Sequence, residues 1–228
     1  MHEAILYKKL ENSKVQCTAC RQSCIIAPDN TGICGVRQNK NGKLYLLVYG
    51  KAVSAHFDPV EKKPLYHFLP NTEIFSFGTV GCNFACDFCQ NWDISQITKD
   101  LRSNLLREKK IAQMDVEVSK FGYELPPKKI VDICVEENAK SIAYTYNEPT
   151  IFFEYLYDTS KLAVEKGIKN VLVTNGYESD EALNLLKPYI SAMNIDLKSF
   201  NGDFYKKICK AKLPLVLETI NLAHKLGI

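Results

Sequence analysis

At 228 residues and 46% hydrophobic content, the chain can bury a sizeable core, as one domain or one domain plus a small appendage. Its net charge of +3, with acids and bases interspersed, implies no nucleic-acid or membrane stripe. No apolar run approaches the roughly 18 residues needed to span a bilayer, and the first ten residues are too polar for a signal peptide. The nine cysteines are therefore expected in a reducing, cytoplasmic compartment, where clustered thiols read as metal ligands rather than disulfides.

The first cysteine group is Cys17-x2-Cys20-x3-Cys24, followed by Cys34 between Gly32 and Gly35. Four thiolates in so short a stretch predict a closed metal knuckle, holding either zinc or an auxiliary iron–sulfur cluster. Lys43–Val53 reads as a short hairpin strand centred on Leu44–Tyr49 and closed by Gly50. Asp58–Pro70 contains three prolines and is expected to be an extended connector. His56 and His67 are ligand candidates in principle, although a packed or solvent-facing histidine is the plainer reading of each. Residues 1–70 are expected to form a Cys-rich N-terminal module with its connector, and residues 71–228 the main domain.

From Thr72 the pattern changes to alternating strand and helix. Strands are expected at Glu73–Val80, Ser141–Tyr146, Asn170–Thr174 and Ala192–Leu197, with helices at Ile130–Glu137, Ile151–Lys166, Asp180–Leu186 and Pro214–Leu226. That alternation predicts an α/β fold with a parallel sheet. Residues 93–125 read only as short pieces, at Ile94–Ile97 and Asp115–Val118.

The second cysteine group, Cys82-x3-Cys86-x2-Cys89, follows the first of these strands. An iron–sulfur cube normally takes four thiolates, and this loop offers three. An iron left open can bind a substrate or cofactor. The carboxyl ends of the other strands are also polar: Tyr146-Asn147-Glu148-Pro149, Thr174-Asn175-Gly176 and Asp196-Leu197-Lys198. Polar groups gathered on one rim of a parallel sheet predict a shared site there.

The three-cysteine spacing, with Phe88 before the last thiol, resembles the signature of radical S-adenosylmethionine (SAM) enzymes. Further blocks, Cys34–Arg37, Glu61–Pro70, Gly81–Phe84 and Cys89–Trp92, make the chain resemble the AmmeMemoRadiSam-system enzymes, relatives of the pyruvate formate-lyase activating enzymes. The resemblance implies a [4Fe-4S] cluster on Cys82, Cys86 and Cys89, SAM as cofactor, and a radical abstracting hydrogen from a small-molecule or protein substrate. It also implies a partial (βα)6 barrel and an electron donor of the flavodoxin or ferredoxin type, with no nucleic-acid or membrane partner.

For SAM, Glu148 is expected to accept from the amino group and Lys198 to meet the carboxylate. Asn147 and Asn175 would offer hydrogen bonds to ribose or methionine groups, Asp196 would orient Lys198 or hold a substrate or small cation, and Phe88 would stack on adenine. No catalytic residue is singled out. Two departures stand out: Val173 replaces an aspartate common before the Thr-Asn-Gly run, and the barrel is expected to stop after about four βα units, roughly two short of six. A glycyl-radical activase and a non-catalytic metal-binding scaffold are the alternative functions.

Overall fold

The computed structural model describes residues 1–228. A five-stranded sheet forms its centre, in the spatial order β5-β4-β3-β2-β1. The strands are β1 (Ser54–Pro59), β2 (Glu73–Gly78), β3 (Ser141–Tyr144), β4 (Lys169–Thr174) and β5 (Ala192–Ile195). β2 to β5 run parallel, with Ser141 opposite Ile74 and Lys169, and Val171 opposite Ala192. Every residue of β3 is buried, as expected of a parallel strand covered on both faces.

The sheet is mixed rather than all parallel, because β1 pairs antiparallel with β2, Ser54 lying opposite Gly78 and Pro59 opposite Glu73. The expected connector therefore begins as a sheet strand. It continues as a short 3-10 turn, Val60–Lys62, and not as extended chain. Pro59 precedes that turn without breaking it, since a proline there removes no hydrogen bond the turn needs. The expected boundary at residue 70 thus divides strands of one sheet. One core of buried residues runs from Ala4 and Val36 through Phe77 to Tyr155 and Leu186.

The helices are α1 (Ile97–Arg107), α2 (Pro127–Glu136), α3 (Phe153–Glu165), α4 (Asp180–Leu186) and α5 (Leu213–Leu226), with a shorter helix at Met114–Ser119. Pro127 opens α2 at the position where a missing N–H costs nothing, and Ser179 caps α4 by accepting from the Ala182 amide at 3.0 Å. α1 falls where only short pieces were expected. Its stripe, Ile97, Leu101 and Leu105, is spaced by four and packs on the core, but the intervening residues are nearly all polar and mask the period.

At the N-terminus, Arg37–Lys40 and Lys43–Leu46 form a hairpin about Asn41-Gly42. Both turn residues have positive φ, which favours this residue pair in a two-residue turn. The strand ends at Leu46, short of the expected Tyr49. Tyr7–Lys9, Val15–Cys17 and Ile25–Ile26 make a second small antiparallel sheet. At the far side, β5 pairs only with β4 and is half-buried throughout, which leaves one row of backbone groups unpaired. No helix is long and apolar enough to cross a membrane.

Candidate active site

Cys82, Cys86 and Cys89 lie on the loop that leaves the carboxyl end of β2 and leads to a short helix at Trp92–Ser95. Asn147, at the end of β3, holds the start of this loop. Its Oδ1 accepts from the Thr79 amide at 3.1 Å, and its Nδ2 donates to Thr79 Oγ1 at 3.0 Å and to the Gly81 carbonyl at 2.8 Å. Gly81 has φ +94°, and a Cβ there would stand 2.7 Å from the Cys34 carbonyl oxygen. The two cysteine groups, 48 residues apart at their nearest members in sequence, are thus neighbours in space.

The first turn of α1 ties them together. Thr98 donates its hydroxyl to the Cys34 carbonyl at 2.8 Å, while Lys99 Nζ donates to the Phe84 carbonyl, inside the second cysteine loop, and to Gln96 Oε1. Gln22, from the first group, donates to the Asn83 carbonyl at 2.9 Å. Lys99 was absent from the candidates read in the sequence. Nothing marks it there, because its helix was not recognised.

Burial pushes the Cys82 thiol up to about 11, with Lys99 opposing the shift. Burial also pushes Cys86 up to about 12, aided by its buried neighbour Cys209. Asn175 Nδ2 donates to Asn83 Oδ1 at 2.7 Å and lies 3.9 Å from Cys82 Sγ. The outward atoms of these amides, Asn83 Nδ2 and Asn175 Oδ1, are buried without partners. All nine cysteines are free thiols. Three thiols on one loop, with the unpartnered donor Asn83 Nδ2 beside them, fit an anionic iron–sulfur cluster.

The four thiols of the expected N-terminal knuckle also lie near one another. Cys17, Cys24 and Cys34 are near enough for their charge to raise Cys20 further, after burial has done most of it. Their backbones are held by separate parts of the fold: Cys17 in its strand, Cys20 bridged to Glu178, and the Cys34 carbonyl bonded by Thr98.

A cleft of about 710 Å³ opens beside the loop. Gln90 and Asn91 wall it on the loop side, with His56 and Asp58 of β1, Tyr146 and Asn147 after β3, Val173 of β4 and Asp196 after β5 on the others. Tyr146 is held at φ +68°, a conformation rare for a bulky side chain. Asn91 Nδ2 donates to its carbonyl at 2.7 Å. Lys63 pairs with Asp58 at 2.9 Å and lies 4.8 Å from the centre of the Tyr146 ring, while the Tyr146 hydroxyl donates to Asp58 at 3.2 Å. Lys62, exposed, reaches Asp58 at 3.2 Å.

Of the residues expected to meet SAM, Asn147 and Asp196 line this cleft. Lys198 reaches it through its 2.6 Å ion pair with Asp196. Glu148 does not. Its carboxylate faces inward and accepts from the Thr150 amide and hydroxyl, the Thr174 hydroxyl and the Asn175 amide, at 2.7 to 3.1 Å. Both oxygens have partners within the chain, and the carboxylate caps the helix entry; its charge is also felt at Cys82. Asn175 faces Asn83, and Phe88 is half-exposed, 5.8 Å from the Phe204 ring centre; neither lines the cleft. His56 faces the cleft from an exposed position, and His67 is exposed outside it. Tyr146 belongs to the polar strand end expected at this rim, whereas Lys62, Lys63, Asp58 and Asn91 carry no site role in the sequence; the Glu61–Pro70 and Cys89–Trp92 blocks are the signals for the two lysines and for Asn91.

Behind the rim lies a second acid. Glu178 is fully buried and neither carboxylate oxygen has a hydrogen-bond partner. Burial, then the charge of Glu148, pushes it up to about 8.

Residues 77–228 match the Radical SAM superfamily. The chain belongs to that superfamily, and membership implies an enzyme with a [4Fe-4S] cluster and SAM. It is 46% identical, over its whole length, to the uncharacterized protein MJ0808 of Methanocaldococcus jannaschii, and spans 62% of that protein. It is 27% identical over 134 residues to the uncharacterized protein MJ0674 of the same organism, covering 58% of this chain and 35% of that one. Among solved structures, it shows a distant likeness to TYW1 with a lysine-pyruvate adduct bound: TM-score 0.42, 21% identity, 72% of this chain and 56% of that one.

Proposed function

We propose that this chain reductively cleaves SAM and uses the resulting radical to abstract hydrogen from a substrate held in the cleft between the cysteine loop and the sheet. A [4Fe-4S] cluster, when bound, supplies the electron that splits the sulfonium into methionine and a 5′-deoxyadenosyl radical. Cys82, Cys86 and Cys89 would hold it, leaving one iron for SAM. The observation that carries this reading is the contact of one loop with both features: its thiols at one end, and Gln90 and Asn91 in the cleft wall at the other.

The protein's own part is positioning and charge. Asn147 and Gly81 set where the loop leaves β2. Lys62, Lys63 and Lys198 place cations around the cleft, each matched by Asp58 or Asp196. Those charges suit a zwitterionic amino acid group, with the lysines toward its carboxylate and the aspartates toward its ammonium. Tyr146 offers an aromatic face.

The finer likeness, to the AmmeMemoRadiSam branch and the activating enzymes, draws support from where its sequence blocks meet. Glu61–Pro70 contributes Lys62 and Lys63, and Cys89–Trp92 contributes Gln90 and Asn91, to one cleft. The run of parallel strands from β2 to β5 fits the first units of a (βα) barrel. The chain spans about three-fifths of the relative it matches along its whole length, and the remaining part of such a protein is a natural source of substrate contacts.

The test is anaerobic reconstitution with iron and sulfide, then addition of dithionite and SAM. The wild-type chain should release 5′-deoxyadenosine, and Cys86→Ala should release none. Continued product from Cys86→Ala would overturn the assignment. Addition of a glycyl-radical enzyme, with electron paramagnetic resonance as readout, addresses the activase alternative: a glycyl doublet would support it.

A further inference from the structure

Residues 205–212 read Tyr-Lys-Lys-Ile-Cys-Lys-Ala-Lys, four lysines and no acid in eight positions. In the structure this segment is the outer wall of the cysteine loop. The Ala85 amide donates to the Cys209 carbonyl at 3.2 Å and the Asp87 amide to the Ile208 carbonyl at 3.1 Å. Cys209 is fully buried, and Cys82 and Cys86 pack against its cluster of side chains. Ile208 and Cys209 thus turn inward to the cluster loop while Lys206, Lys207, Lys210 and Lys212 are exposed. Lys207 is met by Asp203 at 3.3 Å and Lys210 only loosely by Asp87 at 3.7 Å. Lys206 and Lys212 enter no ion pair.

Beside these lysines lies a second cleft, about 690 Å³, with Tyr177, Ala211, Leu213 and Leu215 in its lining and Lys206, Lys210 and Lys212 along it. It shares no residue with the cleft proposed for SAM and substrate. An apolar centre with a charged rim is the make-up of a transient protein interface. Its one-sided charge would steer an oppositely charged partner and make the encounter depend on salt.

We propose that this lysine-edged cleft is the docking surface for an acidic one-electron carrier protein, which reduces the cluster across the Ile208–Cys209 backbone. The inference rests on the SAM cleavage proposed above, which consumes one electron per turnover. One electron leaves the carrier's reduced flavin or iron–sulfur centre and enters the cluster. The carrier departs oxidised by one electron, and no bond is made or broken at the interface. The arrangement separates the two deliveries: the electron arrives from outside the loop, while the substrate occupies the cleft on its other side.

The experiment uses two charge-reversal triples of the reconstituted chain. One carries Lys206→Glu, Lys210→Glu and Lys212→Glu. The control carries Lys129→Glu, Lys140→Glu and Lys166→Glu, exposed lysines elsewhere on the surface with the same change in net charge. Each is assayed for 5′-deoxyadenosine with dithionite, and again with an acidic flavodoxin in its two-electron-reduced form.

With dithionite, all three proteins should match. No product from wild type in that assay would count against the proposed SAM cleavage and not against the docking surface. With flavodoxin, the wild-type and control rates should fall as salt is raised, while the 206/210/212 triple should already be reduced about tenfold or more at low salt. A triple that keeps the wild-type flavodoxin rate at low salt overturns the proposal. So does a control triple that loses as much.

Discussion

Arg37 and Glu154 form a two-pronged ion pair in the interior: Nη2 donates to Oε1 at 2.8 Å and Nη1 to Oε2 at 2.9 Å, with each side chain 2% exposed. Arg37 belongs to the N-terminal hairpin and Glu154 to α3. The Ile5 amide, from the same N-terminal region, donates to Glu154 as well, at 3.0 Å. Burial opposes charge on both groups, and each holds the other charged: the Glu154 carboxyl stays below its usual range and the guanidinium above its own. Removing one partner leaves the other buried and unmatched. Arg37→Met should therefore cost about 3–5 kcal/mol, read by chemical denaturation. The double variant Arg37→Met with Glu154→Leu should recover much of that, because no buried charge remains. If the double variant is less stable than Arg37→Met alone, this account of the pair is wrong.

Asn147 uses all of its amide to hold Thr79 and Gly81. Asn147→Ala leaves the Thr79 amide and the Gly81 carbonyl short of a partner, at about 1–3 kcal/mol for each buried group. The expected result is a folded chain with an ill-placed cysteine loop. Iron bound per chain after reconstitution should fall well below wild type while far-ultraviolet circular dichroism is unchanged. Full iron loading would show that the loop holds its shape without this side chain.

Lys99 is the cation nearest the cysteine loop on the α1 side, and Cys82, Cys34, Cys86 and Cys89 all favour its charged form, against burial. A positive charge there stabilises added negative charge on a cluster held by those thiols. Lys99→Met should lower the midpoint potential of the reconstituted cluster by on the order of 50 mV, followed by electron paramagnetic resonance during a redox titration. Lys99→Arg should restore most of it. A change confined to folding would leave the potential of the loaded fraction where it was.

Glu178 links stability to pH. Its folded pKa, pushed to about 8, lies above the ordinary value of 4.5. The folded state therefore holds a proton that the unfolded chain has released. Its contribution is fully present below about pH 4.5 and is lost as pH rises through 8, at up to about 1.4 kcal/mol per pH unit. Glu178→Gln keeps the shape and removes the titration. Denaturation midpoints from pH 5 to 9 should fall less steeply for the variant than for wild type. Parallel slopes would show that Glu178 is not the group responsible.

The alternation of apolar strands and helices was legible from Thr72 onward because each element carries its own period and punctuation. Pro127 starts a helix and Ser179 caps one whatever surrounds them. α1 was missed because its apolar stripe is thin and its other residues are polar. β1 was missed because Asp58 and Pro59 look like loop residues until β2 lies beside them.

The candidate site divides along the same line. Three thiols in eight residues announce a cluster loop through local spacing alone, since loop chemistry needs only neighbours in the chain. Whether a polar residue at a strand end points into the cleft depends on what stands across from it. Glu148 turned inward because the hydroxyls of Thr150 and Thr174 and the Asn175 amide were there to bind it, whereas Asp196 faced the opening. Asp58 and Lys63 pair locally but join the cleft only where Tyr146 lies against them, and Lys99 meets the cysteine loop only where Phe84 lies across from α1. Those contacts depend on packing, which brings together side chains that no local pattern relates.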